Sequence, residues 1–137
     1  MALCNINRLQ GKPPRPPHLE FVRRVSPNTR IVLVGVVPQW NPALPVYMVK
    51  KHIGLTAEKY AENAYLRNGR AMDKALKAVA DRNGIAFFSV IDALCAGDKC
   101  LVTTTWDGKP TLTIWDNGHL TAGGSKLVAS KLAQEMR

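Results

Sequence analysis

The chain has 137 residues, the size of one globular domain, so a second full-sized core is not expected. Apolar residues make up 46% and charged residues 21%, a balance that excludes an entirely disordered, collagen-like or coiled-coil protein. Lys and Arg number 19 against 10 Asp and Glu, and the resulting charge of +9 allows for an anionic partner such as nucleic acid, acidic polysaccharide or a membrane surface.

The first 17 residues form a basic, proline-rich segment, which we interpret as a linker ahead of a domain over residues 18–137. Its second half, Gly-Lys-Pro-Pro-Arg-Pro-Pro, favours extended polyproline geometry. The first residues are too few and too polar for the apolar region of a secretory signal, and no apolar run is long enough to cross a bilayer. We therefore expect neither a signal peptide nor a transmembrane segment in this chain.

The next part of the chain predicts a strand–helix–strand unit. A short helix over 18–25 is followed by a strand over 30–37, whose continuous β-branched run suits burial on both faces. Three prolines predict a loop over 38–51, and helical spacing of apolar residues predicts helix over 56–82, with a possible break at Asn68-Gly69. A second buried strand is predicted over 85–91. The two strands should be parallel.

The remainder predicts a hairpin and a terminal helix. Two β-like runs, 101–106 and 111–115, flank Asp107-Gly108, a strong signal for a two-residue hairpin turn. The segment 121–136 carries an apolar stripe at helical spacing, with Thr121 as its N-cap.

Cys95 and Cys100 are separated by four residues that include Gly and Asp, so the chain can bend until the two sulfurs meet. A disulfide is the favoured interpretation in an oxidising compartment, with free thiols or a metal site as alternatives. Two cysteines without a second pair do not complete a four-ligand zinc site. We expect no metal and no cofactor.

Asp116 and His119 are the candidate catalytic residues. They lie three residues apart on a predicted turn that leads into a capped helix, so the carboxylate can hydrogen-bond the imidazole and leave its far nitrogen free as a general base. The alternative is structural: Asp116 and Asn117 form an Asx-type turn, and His119 is a surface residue beside a helix start.

The pattern Asp116-x-x-His119-Leu120-Thr121-x-x-Gly124, followed by an amphipathic helix, resembles the last block of SGNH-fold hydrolases and acyltransferases. With the upstream strands, the cysteine pair and the hairpin, residues 18–137 resemble the second half of the extracytoplasmic SGNH domain fused to membrane acyltransferases that O-acetylate bacterial surface polysaccharides. The resemblance implies a layered α/β fold with a parallel sheet and flanking helices, incomplete in this chain, plus a small hairpin. It also implies a periplasmic location and an acylated carbohydrate as substrate.

In that family Asp116 would orient His119, and His119 would deprotonate a serine and then protonate the leaving alcohol. The family's Gly-Asp-Ser block is missing: the one Gly-Asp, Gly97-Asp98, is followed by Lys99. Its oxyanion block is not found either. None of the serines at 26, 89, 125 and 130 is nominated as nucleophile, because two lie on the predicted terminal helix and Ser89 lies inside a predicted strand. We expect an N-terminal half-domain, a membrane acyltransferase domain or a second copy of the chain as the partner, because the serine block is missing and a parallel strand as apolar as 31–37 needs a neighbour on each side.

The rival interpretation is a noncatalytic binding module or scaffold remnant. Six basic residues in the first thirty face one acidic residue, which could attract an anionic polymer. Nucleic acid is not favoured, since that segment has one aromatic residue, Phe21, and no recognised module. Trp40, Tyr47 and Trp106 are candidates for a sugar-binding edge, with burial as the alternative.

Overall fold

The computed structural model describes residues 17–137, in which Val32–Arg137 form one compact unit and the residues up to Ile31 belong to another. The basic segment at the N-terminus lies almost entirely outside the described residues. None of the helices in residues 17–137 combines the length and the apolar character needed to span a bilayer. The elements in chain order are α1 (Pro17–Val25), β1 (Val32–Val34), α2 (Leu44–Lys50), β2 (Tyr60–Glu62), α3 (Leu66–Asn83), β3 (Ala86–Phe88), α4 (Val90–Leu94), β4 (Cys95–Ala96), β5 (Lys99–Leu101), β6 (Thr103–Trp106), β7 (Lys109–Leu112) and α5 (Ala122–Glu135).

The predicted strand–helix–strand unit is present. Strand β1 pairs in parallel with β3, with Val32 opposite Ala86 and Val34 opposite Phe88, and α3 lies between them in the chain. The first strand is shorter than predicted because the amide of Val36 donates to Asp73 Oδ1 at 2.8 Å instead of extending the ladder. The expectation of a strand covered on both faces is wrong for Val34, which is 45% exposed.

The predicted helix over 56–82 is wrong in its first third. Residues Tyr60–Glu62 form β2, antiparallel to β5, and α3 begins at Leu66. The helix then continues through Asn68-Gly69 without a break. A Cβ atom at position 69 would lie 2.6 Å from Ile91 Cδ1, so glycine leaves room there for the Ile91 side chain of α4, and a larger residue would require that side chain to shift.

Two further boundaries differ from the predictions. The predicted loop over 38–51 contains α2, because Pro45 occupies the first turn of this helix, where its missing N–H costs nothing. The strand predicted over 85–91 ends at Phe88. Ser89 then caps α4 by accepting a hydrogen bond from the amide of Asp92 at 3.0 Å, so the expectation that Ser89 lies within a strand is wrong.

The predicted hairpin and terminal helix are confirmed. Strands β6 and β7 pair around Asp107 and Gly108, whose positive φ angles of 48° and 73° are those of the favoured hairpin turn. Thr121 caps α5 by accepting from the amide of Gly124 at 3.0 Å. The largest fully buried apolar side chains come from α2, β3, α4 and the segments beside the hairpin: Phe88, Leu44, Ile91, Leu94, Ile114, Val90 and Val102.

These elements form the α/β fold that the resemblance implied. The parallel pair β1–β3 is accompanied by helices and by two antiparallel sheets, β2–β5–β4 and β6–β7. The segment that joins β7 to α5 carries the candidate catalytic pair.

Candidate active site

The segment between β7 and α5 is folded back on itself. The amide of Trp115 donates to the carbonyl of His119 at 3.0 Å, the amide of Thr121 donates to the carbonyl of Thr113 at 3.0 Å, and Ile114 forms a β-bridge with Leu120. These bonds close a tight loop, which we call the site loop (residues 113–121). The closure holds the side chains of residues 116 and 119 next to each other.

The carboxylate of Asp116 divides its two oxygens between backbone and imidazole. Oδ1 accepts the amides of Gly118 and His119, both at 2.8 Å, and Oδ2 lies 2.7 Å from Nδ1 of His119. The Asx-type turn of the structural alternative is therefore present, but it coexists with the carboxylate–imidazole contact. The turn fixes the carboxylate, and the carboxylate fixes the ring.

These contacts lower the pKa of Asp116 to about 2 from its ordinary 3.8. The hydrogen bond from the Gly118 amide contributes most, followed by that from the His119 amide. Desolvation opposes them, and the His119 side chain adds a hydrogen bond and its charge. Asp116 is thus ionised at neutral pH and can only accept hydrogen bonds. Nδ1 of His119 must then be the donor, so Nε2 of the neutral ring carries the free lone pair.

The two side chains differ in exposure in the way that an acid–base pair requires. Asp116 is 27% exposed, while His119 is 78% exposed, so the imidazole lies on an open surface and no aliphatic residues enclose it. A reacting group from outside the described residues can reach the ring. The pair can hold the ring in one tautomer and exchange a proton at Nε2.

The site loop is anchored to the segment between β1 and α2. The amide of Trp40 donates to the carbonyl of Asn117 at 2.7 Å, and Asn117 Nδ2 donates to the carbonyl of Trp40 at 2.7 Å. The amide of Leu44 donates to the carbonyl of Asp116 at 2.9 Å. Sequence analysis did not identify this role of Asn117, because its partner is 77 residues away and no local pattern marks it.

No serine hydroxyl in residues 17–137 hydrogen-bonds His119. Ser89 donates to Asp73 Oδ2 while it caps α4, which is a structural role. Ser125 and Ser130 lie on α5, as predicted. The described residues therefore supply an oriented histidine without a nucleophile attached to it.

Cys95 and Cys100 form the disulfide that their spacing favoured over free thiols or a metal site. They are directly opposite each other in the β4–β5 ladder, so the antiparallel pairing brings the two side chains together. With both sulfurs in this bond, neither cysteine is available as a thiolate ligand.

The aromatic residues proposed for a sugar-binding edge are divided by their exposure. Trp40 is 3% exposed and packs against Tyr47 with ring centroids 5.0 Å apart, which is the structural alternative. Trp106 is partly exposed, with Lys126 Nζ 5.1 Å from the centroid of its ring. Sequence analysis overlooked Trp115, which adjoins Asp116 and is 60% exposed.

Comparison with known proteins agrees with the resemblance found in the sequence. The family model described as "SGNH domain (fused to AT3 domains)" matches residues 14–134. The solved periplasmic domain of a lipopolysaccharide acetyltransferase from Salmonella ser. Paratyphi A is similar, with a TM-score of 0.63 and 27% sequence identity. The match covers 86% of this chain and 46% of the Salmonella chain, so this chain spans about half of that domain. Comparison with curated protein sequences gives no match.

The family model covers most of the chain, and the sequence identity to the Salmonella domain extends over most of it as well. The activity named for the Salmonella protein is that of a lipopolysaccharide acetyltransferase. The chain belongs to the family of SGNH domains that are fused to AT3 domains.

Proposed function

We propose that Asp116 and His119 are the acid–base part of a site for SGNH-type acyl transfer or ester hydrolysis, with O-acetyl groups on carbohydrate as the substrate class. The observation that carries the proposal is the 2.7 Å contact between Asp116 Oδ2 and Nδ1 of a histidine whose side chain is 78% exposed. This geometry leaves Nε2 as a base that an incoming hydroxyl can approach.

The chemistry proceeds in two half-reactions, and in each of them Nε2 accepts a proton and then gives it up. His119 accepts the proton of a serine hydroxyl as the serine oxygen attacks the acyl carbonyl, and the ionised Asp116 stabilises the imidazolium that forms. The imidazolium then gives that proton to the leaving alcohol, and an acyl-serine remains. In the second half, Nε2 removes a proton from a sugar hydroxyl or from water as its oxygen attacks the acyl-serine. The bond between the serine oxygen and the acyl carbon then breaks, and the imidazolium returns the proton to the serine oxygen. The products are a newly acylated sugar or a free carboxylic acid.

The serine and the oxyanion donors would come from a segment outside residues 1–137, since the printed sequence contains no Gly-Asp-Ser block. The parallel pair offers a place for such a segment. Among the described residues β1 pairs with β3 alone. The amide of Gly35 donates to the carbonyl of Phe88, so the alternating amide of Val34 points away from β3. A further strand can pair with β1 at this edge. The loops connected to that strand would then lie at the ends of the parallel sheet.

An extracytoplasmic site is part of the proposal. The Cys95–Cys100 disulfide is the type of bond that persists in oxidising compartments, and the similar Salmonella domain is periplasmic. Fusion to AT3 domains in this family supports a membrane acyltransferase domain as the partner that supplies acyl groups.

The test is complementation. This chain would be joined, in one polypeptide, to the N-terminal half of an SGNH domain chosen because its sequence contains a Gly-Asp-Ser block. Hydrolysis of p-nitrophenyl acetate would be compared with that of each part alone. We expect a gain in activity that His119→Ala abolishes, and a loss with Asp116→Asn on the order of 10⁴-fold, because the amide favours the wrong imidazole tautomer.

His52→Asn is the matched control, since His52 is also exposed and lies outside the site loop. Asn tolerates its left-handed backbone, for which φ is 53°. This variant should retain the full gain. A folded fusion, verified by circular dichroism, that hydrolyses no faster than its parts would refute the proposal, as would a gain that survives His119→Ala.

A further inference from the structure

We propose that Trp115 is a carbohydrate-binding residue: its indole face stacks on the apolar face of a pyranose ring and holds that sugar beside His119. The placement of the sugar's reacting oxygen near Nε2 rests on the proposed function, whereas the binding of the sugar does not.

Trp115 differs from the other two tryptophans in what covers it. Trp40 is buried, and the ring of Trp106 lies beneath a lysine ammonium group. Trp115 is 60% exposed, and within residues 17–137 the one ring near it is the imidazole of His119, with centroids 6.0 Å apart and planes inclined by 33°. An indole so exposed leaves a large apolar surface in water, which favours a ligand that covers it.

The backbone fixes this indole relative to the imidazole. The amide of Trp115 donates to the carbonyl of His119, and the carboxylate of Asp116, the next residue, holds the imidazole through Nδ1. Residues 115 and 119 are therefore placed by the same closed loop. A ligand that covers the indole of Trp115 would therefore lie next to His119.

A pyranose suits this surface better than a purely apolar ligand does. One face of many pyranoses exposes C–H groups that pack against an indole, while the equatorial hydroxyls project sideways and keep their hydrogen bonds to water. Those hydroxyls, or an acyl ester on one of them, would extend toward the imidazole. Stacking would then orient the reacting oxygen, which is the positioning that an acyl-transfer site requires.

The experiment uses this chain alone, without the serine-bearing segment. Methyl β-D-galactopyranoside, whose C–H face is continuous, would be titrated while the indole Nε1–H signals are followed by NMR. Mannitol, an acyclic polyol without such a face, is the ligand control. We expect saturable shifts of the Trp115 signal with the galactoside and none with mannitol. Binding to the variants at position 115 would be followed through the backbone amide signals of the site loop. Trp115→Ala should weaken binding by about tenfold or more, and Trp115→Phe by less.

Tyr60→Ala is the matched control, because it removes an aromatic ring that is 49% exposed on β2, outside the site loop, and should leave the affinity unchanged. His119→Ala should still bind the galactoside, so this result separates sugar binding from the proposed chemistry. Absence of a saturable shift at Trp115, or equal binding by Trp115→Ala, would overturn the proposal. If the serine-bearing segment covers Trp115 in the fused protein and prevents galactoside binding there, the residue is a protein contact and the proposal is also wrong.

In a fused protein that is active, Trp115→Ala should raise KM for an acetylated galactoside and leave kcat/KM for p-nitrophenyl acetate within about twofold, because the small ester has no sugar to stack. An equal loss for both esters would indicate damage to the site loop and would contradict a role in sugar binding.

Discussion

Gly124 lies where α5 begins against the site loop, and replacing it by alanine should destabilise the protein strongly. A Cβ atom at position 124 would lie 2.1 Å from the carbonyl oxygen of Thr113. This obstacle is backbone and cannot rotate away. The same oxygen accepts the amide of Thr121 at 3.0 Å, so relief of the clash would also break a bond that closes the site loop.

The size of the effect follows from three contributions. Overpacking costs about 1–3 kcal/mol, and the upper end applies here because the obstacle is backbone. The lost hydrogen bond costs about 1 kcal/mol more, while the better helix propensity of alanine returns up to about 1 kcal/mol. The net loss is about 3–4 kcal/mol. For a domain of this size about 4 °C of Tm corresponds to 1 kcal/mol, so Tm should fall by roughly 12–16 °C.

Thermal unfolding followed by circular dichroism measures this prediction, and two other glycines provide the controls. At Gly54 a Cβ atom would meet nothing within 4 Å, so Gly54→Ala should change stability by less than about 0.5 kcal/mol. At Gly123 the nearest atom is a side-chain methyl of Thr111 at 2.6 Å, which can move, so an intermediate loss is expected. A Tm for Gly124→Ala equal to that of Gly54→Ala would refute the reasoning.

Two further predictions concern the ionised carboxylate and the disulfide. The folded-state pKa of Asp116, about 2, is below its ordinary 3.8, so the stabilising contribution of this carboxylate is complete above pH 3.8 and disappears as the pH falls through 2. The difference in urea midpoint between wild type and Asp116→Asn should therefore narrow as the pH falls from 3.8 through 2. A difference that stays constant over this pH range would contradict the lowered pKa of Asp116. Replacing Cys95 and Cys100 together by serine should cost about 2 kcal/mol by the loop-entropy relation, and dithiothreitol should lower the urea midpoint of the wild type but not that of the double variant.

The elements that sequence analysis predicted correctly are those whose signals are local. Asp107-Gly108 specifies its hairpin turn because both residues adopt positive φ, and Thr121 caps α5 through an amide three residues ahead. The contact between Asp116 and His119 belongs to this class, since the two residues are joined within a single turn. Each of these interactions involves residues close enough in the chain to be recognised together.

The elements that it missed depend on distant partners. Residues Tyr60–Glu62 form a strand because β5, nearly forty residues later, offers an antiparallel edge, although the apolar spacing around them is typical of a helix. In the sequence Gly69 indicates a break in the helix, whereas in the structure it lies within α3 at the point that the Ile91 side chain approaches. The anchoring of Asn117 on the backbone of Trp40 and the exposure of Trp115 also arise only in the folded chain.

The difference between local and distant interactions bears on how a divided SGNH site could work. The bonds that set the tautomer of His119 lie within the site loop, and the backbone bonds from Trp40 and Leu44 hold this loop in place. All of these residues belong to this chain. A segment that brings a serine and oxyanion donors would therefore not have to orient the histidine. When this segment docks, it has to place one serine hydroxyl at Nε2 of His119. The imidazole itself is already ordered, because the folding of the site loop fixes it.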